Sequence, residues 1–319
     1  MKAICYDKYG LPEVLKLMEV EKPTPGKNEV LVRVHACSIN SSDYEFLTGK
    51  PVYTRIWGLT KPKYQILGSD ISGRVEDVGN GVSNLQPGDA VLGDIFNHWG
   101  GLAEYVCVPE DLLIHKPSKL SFSDAAALPQ AATVALQGIR EKGELKNGQM
   151  VLINGAGGGA GTFAIQIAKH LGAEVTAVDT LEKQDVMKSL GADHVIDFKS
   201  EDCTKSSNKY DLILDLTAAH SIFDYKKILA RDGKYLMVGG SMGHLFQTIF
   251  FGFAISKTHS VNMGMLLHKQ NMFLTDILDM IDAKHLKPVI DQTYTLEEAP
   301  EAFRKLGNGE AIGKLVITN

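Results

Sequence analysis

Residues 151–179 read VLINGAGGGAGTFAIQIAKHLGAEVTAVD, and five glycines occupy the seven positions from Gly155 to Gly161. Glycine inside regular structure costs roughly 0.5–1 kcal/mol relative to alanine. Such a density of glycine therefore indicates a point where the backbone turns tightly or approaches another group closely.

The segments around the glycines have the pattern of a strand, a helix and a second strand. Residues 151–153 form an apolar run typical of a buried strand, and residues 164–171 repeat apolar side chains at helical spacing. A second apolar run, 174–178, ends on Asp179. A dinucleotide fold needs this order, because the turn and the helix N-terminus bind a pyrophosphate and the acid accepts the ribose hydroxyls. We therefore predict a doubly wound α/β domain that binds a dinucleotide.

Two registers of the dinucleotide fingerprint fit the turn. In the first, Gly155, Gly157 and Ala160 take the three small-residue positions, and in the second Ala156, Gly158 and Gly161 take them. The spacing to Asp179 is nearly the same for both, so spacing alone leaves the register open.

The composition is that of an ordinary soluble protein, and it argues against several classes. The chain has 319 residues, 44% of them hydrophobic, and a formal net charge of −5. No long Lys/Arg run is present, so nucleic-acid binding is not expected. The four cysteines lie far apart without a CxxC pair, which predicts neither a disulfide framework nor a structural zinc site. The N-terminal residues lack a signal or transit pattern, and we expect a cytoplasmic protein.

The longest nearly apolar stretch, 245–255, is well short of the roughly 20 residues that span a bilayer. It is compatible with a core helix, a wall of the substrate pocket, a subunit contact or a membrane-surface patch. We favour the first two and predict no membrane span.

The predicted secondary structure of the chain changes near residue 123. Before it, alternating runs such as 29–36 and turns such as 87–89 indicate a β-rich domain. After it, helices alternate with apolar strands at 194–197, 211–215 and 235–240, as in a parallel sheet. A helix over 272–283 and a closing strand at 314–317 follow.

The sequence resembles the medium-chain dehydrogenase/reductases, in their zinc-free quinone oxidoreductase branch, over essentially the whole chain. The resemblance rests on the glycine turn and on the following segments in their order: 38–43 (SINSSD), 67–75 (LGSDISGRV) with 78–79, 87–89 (PGD), 101–105 (GLAEY), 189–197 (SLGADHVID) and 313–316 (GKLV). It implies a GroES-like β-barrel catalytic domain and a Rossmann domain. We assign the catalytic domain to residues 1–122 and 266–319 and the Rossmann domain to 123–265. The resemblance also selects the second glycine register.

The resemblance also implies that the zinc site of related alcohol dehydrogenases is missing here. Asn40 stands where those enzymes have a cysteine, and Ser69 and Asp70 stand where they have a His-Glu pair. An amide and a hydroxyl are poor ligands for Zn²⁺. Cys37 lies three positions before Asn40 and is expected to point elsewhere. We predict no metal.

Three residues are predicted as catalytic: the resemblance implies that Asn40 and Asp43 lie by the nicotinamide and the substrate cleft, and Tyr44 is added because it is near them in sequence. Asn40 is a candidate for holding an amide or a substrate oxygen. Alternatively, Asn40 caps a turn and Asp43 caps the following helix. Tyr44 is a candidate proton donor, as is Tyr53, but no general acid can be assigned. Ser69 and Asp70 are more compatible with a structural role.

The predicted cofactor residues come from four segments. They are Ala156, Gly157, Gly158, Gly159, Ala160 and Gly161 of the turn, Asp179, Thr180 and Lys183 after the second strand, Gly239, Gly240 and Ser241 after a later strand, and Lys314 in the closing strand. Asp179 favours NADH, because a carboxylate accepts from a ribose diol and repels a 2′-phosphate. Thr180 and Lys183 could bind that phosphate if the acid turned away, so the preference for NADH over NADPH is slight.

The expected reaction is hydride transfer from NAD(P)H to a quinone or an α,β-unsaturated carbonyl compound. Without a Lewis acid, oxidation of an unactivated alcohol is difficult, whereas a conjugated acceptor spreads the developing charge over an oxygen that hydrogen bonds can stabilise. The alternatives are an alcohol dehydrogenase with an unconventional site and a non-catalytic NAD(P)H-binding protein. A homodimer is compatible with residues 260–263 as an edge strand of the Rossmann sheet.

Overall fold

The computed structural model describes residues 1–319, apart from the side chain of Trp57, and it consists of two compact units. Unit 1 comprises Met1–Ala131 and Pro288–Asn319, and unit 2 comprises Ala132–Lys287. The chain therefore leaves unit 1 once, forms unit 2 and returns.

Unit 1 is built on a seven-stranded, mainly antiparallel sheet and a separate two-stranded hairpin. The hairpin pairs β1 with β2, and the sheet has the order β14-β15-β3-β4-β5-β7 with β6 also paired to β3. The strands are β1 (Lys2–Cys5), β2 (Lys16–Glu19), β3 (Glu29–Ile39), β4 (Asp70–Val78), β5 (Ala90–Asp94), β6 (Tyr105–Pro109), β7 (Ile114–His115), β14 (Ile290–Thr295) and β15 (Lys314–Thr318). The closing strand predicted at 314–317 is confirmed as β15, which pairs with β3.

Three α-helices belong to unit 1, and a fourth contains the junction in the chain. They are α1 (Ser41–Thr48), α2 (Phe122–Ala126), α9 (Ala299–Gly307) and, at the junction, α3 (Pro129–Leu136). Short 3-10 segments cover Pro12–Val14, Val52–Trp57, Glu110–Leu112 and Leu296–Glu298. Helix α1 begins directly after β3, so the carboxyl end of β3 and the first turn of α1 place Asn40 and Asp43 together.

Unit 2 contains the predicted doubly wound sheet. Its six strands are all parallel, in the order β10-β9-β8-β11-β12-β13. The chain starts at a central strand, moves to one edge and returns to the other, as in a dinucleotide-binding fold. The strands are β8 (Met150–Asn154), β9 (Glu174–Asp179), β10 (His194–Asp197), β11 (Tyr210–Asp215), β12 (Leu229–Met237) and β13 (Val261–Met265). The α/β prediction is confirmed.

The helices of unit 2 follow its strands. They are α4 (Gly159–His170), α5 (Gln184–Ser189), α6 (Ile222–Ile228), α7 (Met242–Thr258) and α8 (Leu274–Asp282), with a π-helix at Gln137–Lys142 and 3-10 turns at Leu181–Lys183 and Cys203–Lys205. Helix α4 packs against β8 and β9, and its buried side chains include Phe163, Ala164 and Ile167. The apolar stripe predicted for this helix therefore faces the sheet.

The structure divides the chain at 131/132 and 287/288, whereas the sequence placed the divisions at 122/123 and 265/266. Two glutamine side chains hold residues 266–287 to unit 2. The Gln137 side-chain amide donates to the Lys269 carbonyl and accepts the Lys269 N–H. The Gln166 amide makes the same two hydrogen bonds with the backbone of Lys287, and all four distances are 2.9–3.0 Å. Each partner lies more than a hundred positions away in the chain, so no local pattern indicates the pairing.

The apolar stretch 245–255 lies within α7 and is largely exposed. Phe250 and Phe253 are 67% and 65% exposed, so the prediction of a core helix is wrong for this side of α7. Across the described residues, no helix has both the length and the apolar character that a membrane crossing requires.

Candidate functional site

The glycine turn of unit 2 joins β8 to α4 and has the geometry of the second register. Gly155 adopts φ +81°, which favours glycine. A Cβ on Gly161 would overlap Gly155 O and lie 2.5 Å from Ala156 Cα, so only glycine allows α4 to pack this closely on the turn. Gly161 thus holds the helix-packing position of the fingerprint, as the Ala156, Gly158, Gly161 register requires.

The N-terminus of α4 is open at Gly158. This residue is the N-cap, with φ −85°, and no described side chain caps the helix. A Cβ built on Gly158 meets only Gly155 O, at 3.4 Å. The N–H groups of the first turn, from Gly159 and Ala160 onward, and the positive end of the helix dipole suit an anion. The residues present therefore fit the pyrophosphate of a dinucleotide.

Asp179 lies at the end of β9 and is turned toward the glycine turn. Its Oδ2 accepts the Gly157 N–H at 2.9 Å, and its Oδ1 accepts the Thr180 N–H at 2.9 Å. The Lys183 Nζ lies 3.2 Å from Oδ1, and both side chains are buried. The structure thus brings together Asp179, Thr180, Lys183 and the glycine turn. The Lys183 ammonium balances the negative charge of the Asp179 carboxylate.

Gly239, Gly240 and Ser241 follow β12, as expected, and lead into α7. Ser241 is the N-cap of α7, where its Oγ accepts the His244 N–H. Gly240 adopts φ +149°, and a Cβ there would lie 2.5 Å from Ala218 Cβ. The segment therefore has a capping role within unit 2, and its predicted contact with the cofactor stays a prediction.

A buried polar network supports the carboxyl ends of β8 and β11, and the sequence reasoning missed it. The Asn154 Nδ2 donates to Asp215 Oδ1 at 2.8 Å and lies 3.1 Å from the Tyr225 hydroxyl. The Tyr235 hydroxyl donates to Asp215 Oδ2 at 2.9 Å. Burial raises the pKa of Asp215, while these donors act in the opposite direction. A polar residue ending each of two adjacent parallel strands was the available signal, because those ends meet at one edge.

In unit 1, Asn40 is held by hydrogen bonds from all sides of its amide. Its Nδ2 lies 3.0 Å from Asp70 Oδ2 and 3.4 Å from Ser69 Oγ, and its Oδ1 accepts from Lys314 Nζ. The side chain keeps 8% exposure. The structure therefore joins Asn40 with Ser69, Asp70 and Lys314, which the sequence had predicted in separate roles.

Asp43 is fully buried and accepts two backbone N–H groups. Its Oδ2 accepts from Asn40 at 2.7 Å, and its Oδ1 accepts from Gly68 at 2.9 Å. Burial raises the pKa of Asp43 to about 7, even though both backbone donors favour the charged form. These contacts fix the start of α1 to the segment before β4, which is the capping role weighed against catalysis.

Lys314 is an interior cation of unit 1 rather than a surface lysine, and its predicted contact with the cofactor stays a prediction. Its side chain is 2% exposed, and its Nζ lies 3.6 Å from Asp70 Oδ2 and 3.3 Å from Ile39 O. Asp70 also accepts the Gln130 N–H at 3.0 Å and is completely buried. Because the ammonium contacts Asp70, Asn40 and the Ile39 carbonyl, the arrangement favours a role for Lys314 in positioning Asn40 and Asp70.

The side chains of the two tyrosines considered as proton donors have no described hydrogen bond to this polar cluster. Tyr44 packs against the core of unit 1, and its ring occupies the space that a Cβ on Gly307 of α9 would need. The Tyr53 hydroxyl donates to Glu45 Oε2 at 3.0 Å. Burial raises the pKa of Tyr53 above its usual value. The described contacts thus favour a packing role for Tyr44 over a role as proton donor.

Known proteins match this architecture along the whole chain. Residues 26–118 match the alcohol dehydrogenase GroES-like domain, 128–221 the C-terminal domain of alanine dehydrogenase/PNT, and 190–317 the zinc-binding dehydrogenase model. The chain is 32% identical to the chloroplastic quinone-oxidoreductase QR1 of Triphysaria versicolor, over 99% of this chain and 98% of that protein. It is 34% identical to the 2-methylene-furan-3-one reductase of Solanum lycopersicum, over 99% and 79%. The quinone oxidoreductase structure from Coxiella burnetii superposes with a TM-score of 0.89 at 32% identity, over 100% and 99%.

This chain belongs to the medium-chain dehydrogenase/reductase family. Within that family it groups with the quinone oxidoreductases, and it is an NAD(P)H-dependent oxidoreductase by this membership. The GroES-like character expected of unit 1 is confirmed by the match over residues 26–118.

One matching family model is a zinc-binding dehydrogenase, and the family resemblance places the zinc ligands of such enzymes at positions 40, 69 and 70 of this medium-chain dehydrogenase/reductase. Asn40 and Ser69 offer no preferred zinc ligand, and the carboxylate of Asp70 already pairs with the Lys314 ammonium. The Cys37 Sγ is fully buried, and a Cβ on Gly68 or Gly101 would lie within 2.9 Å of it. Burial raises the pKa of the Cys37 thiol well above its usual value. The donor set does not fit zinc.

A second group of metal-ligating side chains lies in unit 2. Among the described residues, Asp202, Cys203 and His220 place ligand atoms within 4.8 Å of one another. Asp202 Oδ1 already accepts from the backbone N–H and the hydroxyl of Thr204. Burial raises the pKa of Cys203 to about 12, which keeps the sulfur protonated and a poor ligand. The position of the Asp202 side chain is explained by its role as the cap of the 3-10 turn at Cys203–Lys205.

Proposed function

We propose that this medium-chain dehydrogenase/reductase is a zinc-independent enzyme that reduces quinones or α,β-unsaturated carbonyl compounds with NAD(P)H. The observation that carries the proposal is the buried cluster in which Lys314 pairs with Asp70 and binds the Asn40 amide. The amide of Asn40, the hydroxyl of Ser69 and the carboxylate of Asp70 stand where the resemblance places the metal ligands of zinc-dependent members, and the Lys314 ammonium pairs with that carboxylate. The names of the relatives, a quinone oxidoreductase and a methylene-furanone reductase, support the same substrate class.

The chemistry follows from what the chain can and cannot stabilise. NAD(P)H, when bound at the glycine turn, supplies the hydride. A conjugated acceptor places the developing negative charge on an oxygen, which needs only hydrogen-bond donors for stabilisation. Oxidation of an unactivated alcohol would need a Lewis acid at the reacting oxygen, and the donor set of unit 1 does not suit one. The chain's own contribution is to bind, orient and desolvate the reactants.

Of the three predicted catalytic residues, Asn40 is the one that we retain as a substrate contact. It keeps a small exposed surface, and its amide is oriented by Lys314 and Asp70. Asp43 is completely buried and Tyr44 packs on α9, so we propose structural roles for them. The proton that completes the reduction then comes from solvent or from a group not among these three.

We further propose that Asp179 and Lys183 together set the cofactor preference. The carboxylate can accept from a ribose diol and favours NADH, but the paired ammonium offsets its repulsion of a 2′-phosphate. The expected preference for NADH is therefore modest, on the order of tenfold or about 1.4 kcal/mol.

Asp179→Asn should raise the affinity for NADPH by roughly tenfold and weaken that for NADH by a few-fold, because a carboxylate acceptor for the ribose diol is lost. The substitution removes the charge and frees Lys183 for the phosphate. The matched variant Lys183→Met should do the reverse and weaken NADPH binding, because an unpaired carboxylate then faces the phosphate. Nicotinamide fluorescence titrations of the apo protein measure both effects. Equal responses of the two dinucleotides to both variants would show that this pair does not contact the ribose.

The cytoplasmic location and the homodimer are part of the same proposal. Strand β13 is the last strand in the order of its sheet and pairs with β12, which supports pairing with a second copy along its outer edge. Sedimentation equilibrium of the purified protein tests the dimer.

The deciding experiment combines cofactor binding, turnover and metal analysis on one chelator-washed sample. We expect NADH and NADPH to bind, and their absorbance to fall after addition of 1,4-benzoquinone or an enone. Stoichiometric zinc together with alcohol oxidation would instead support an alcohol dehydrogenase with an unconventional site. Tight binding without oxidation by any acceptor would point to a non-catalytic NAD(P)H-binding protein.

A further inference from the structure

Helix α7 exposes most of its large apolar side chains, whereas a normal surface helix buries them. Its buried side chains, Thr248 and Ile255, and Gly252 face the sheet of unit 2. A Cβ on Gly252 would lie 2.7 Å from Met263 O, so the small residue allows the close approach of α7 to β13. The large apolar side chains point the other way.

The outward side of α7 forms a continuous apolar stripe, which we call the aromatic face. Its members, spaced i, i+3, i+4 and i+7 and each 50–67% exposed, are Phe246, Ile249, Phe250 and Phe253. The rings of Phe246 and Phe250 stack with centroids 6.1 Å apart. Phe251 extends the surface sideways to Phe223 of α6, at 5.6 Å between centroids. A contiguous exposed patch of this kind marks an interaction surface rather than chance exposure.

The charge around the aromatic face is positive, although the chain as a whole is negative. No Asp or Glu occurs between Asp232 and Asp276, whereas the full sequence has 38 acidic residues and a net charge of −5. The Lys257 Nζ lies 4.4 Å from the centroid of the Phe253 ring. On α6, which packs against α7, the Lys226 Nζ lies 2.7 Å from His259 Nε2. Asp224 also lies on α6, where its Oδ1 pairs with Lys227 Nζ at 2.8 Å, so Lys226 and Lys257 leave a net positive charge around the aromatic face.

The charge pattern distinguishes between two occupants of this surface. In a twofold contact between copies, the same patch meets itself, so the net positive charge left by Lys226 and Lys257 would meet net positive charge on the other copy. An anionic lipid surface instead offers an apolar layer for the aromatic rings and acidic headgroups for the lysines. The 17-residue helix is too short to cross a bilayer, and its exposed apolar side is on one face only.

We propose that the aromatic face of α7 docks the protein reversibly on an anionic bilayer surface, with the rings at the boundary between headgroups and acyl chains. This surface is formed by α7 and α6 alone, and the docking is independent of the reductase proposal. Docking of this kind would bring the enzyme to acceptors that partition into lipid.

Co-sedimentation of the full chain with vesicles tests the proposal. We expect binding to vesicles of phosphatidylcholine and phosphatidylserine, weaker binding to phosphatidylcholine alone, and release by salt. The double variant Phe250→Ser/Phe253→Ser should bind at least about tenfold more weakly. Phe198→Ser is the matched control, because Phe198 is comparably exposed and lies outside α7. It should bind like the unsubstituted protein.

A second variant separates the electrostatic from the apolar contribution. Lys226→Gln/Lys257→Gln should bind phosphatidylcholine vesicles as before and lose the gain from phosphatidylserine. Thermal melts establish that each variant is folded, as expected for exposed positions. Absence of binding by the unsubstituted protein, or undiminished binding by the phenylalanine variant, would overturn the proposal. So would a dimer in sedimentation equilibrium that the phenylalanine variant abolishes without any vesicle binding, which would assign the face to a second copy.

Discussion

Replacing Lys314 with methionine is expected to lower the melting temperature of unit 1 by about 10 °C, the equivalent of roughly 3–5 kcal/mol. The ammonium is the counter-charge of Asp70 inside a cluster that also contains the buried carboxyls of Asp43 and Asp94. Burial raises the pKa of each of these three acids, and the nearby carboxylates add to the effect at Asp94. Removing the cation leaves a buried charge without its partner.

The deficit should grow with pH, and the sign follows from the direction of the pKa shifts. A carboxyl whose pKa is raised in the folded state favours folding most below its unfolded value of about 4. That stability is lost as the pH rises through the folded pKa, which is about 7 for Asp43. Without Lys314 the pKa of Asp70 rises further, so the variant should be closer to the unsubstituted protein at pH 5 than at pH 8. Thermal melts monitored by circular dichroism at both pH values measure this.

The double variant Lys314→Met/Asp70→Asn is the control for lost packing. It removes both charges while keeping similar volumes, and the amide oxygen introduced at position 70 can still accept the Gln130 N–H. With Lys314 absent, the Asn40 amide is free to flip and accept from the new side-chain NH₂. Most of the lost stability should therefore return, and the pH dependence should weaken. A double variant no more stable than Lys314→Met would show that the methylenes of the lysine, rather than its charge, stabilise unit 1.

Gly161→Ala is expected to destabilise unit 2 by about 3 kcal/mol and to abolish NAD(P)H binding. The new Cβ would overlap Gly155 O and approach Ala156 Cα, and both are backbone atoms that a rotamer change cannot move. Relief requires α4 to shift away from the turn, which also displaces the N–H groups that bind the pyrophosphate. A melting curve and a nicotinamide fluorescence titration measure the two effects.

Gly158→Ala is the matched substitution three positions earlier. Its Cβ has only Gly155 O nearby, at 3.4 Å, and its backbone at φ −85° suits alanine. Stability should change by no more than about 0.5 kcal/mol, whereas NAD(P)H affinity should fall on the order of 100-fold because the methyl group occupies the approach to the helix N-terminus. Unchanged NAD(P)H affinity in this variant would show that the pyrophosphate does not bind at the glycine turn.

The parts of this protein that depend on local pattern could be predicted from its sequence. The apolar runs on either side of the glycines, the helical spacing after them and the acid at residue 179 specify strand, turn, helix and strand through backbone sterics and side-chain periodicity. Family resemblance extended this to the GroES-like unit and to the reaction class. These features need no knowledge of which distant residues meet.

Contacts between residues far apart in the chain could not be predicted in this way, because they depend on how the strands and helices pack. The sequence predicted Lys314 as a possible cofactor contact, and only the pairing of β15 with β3 places its ammonium beside Asp70. The turn of Asp179 toward Lys183 and Gly157, and the outward direction of the aromatic side chains of α7, depend likewise on packing. Periodicity identifies a helix and its apolar side, but the side that is buried is set by what the rest of the chain presents to it.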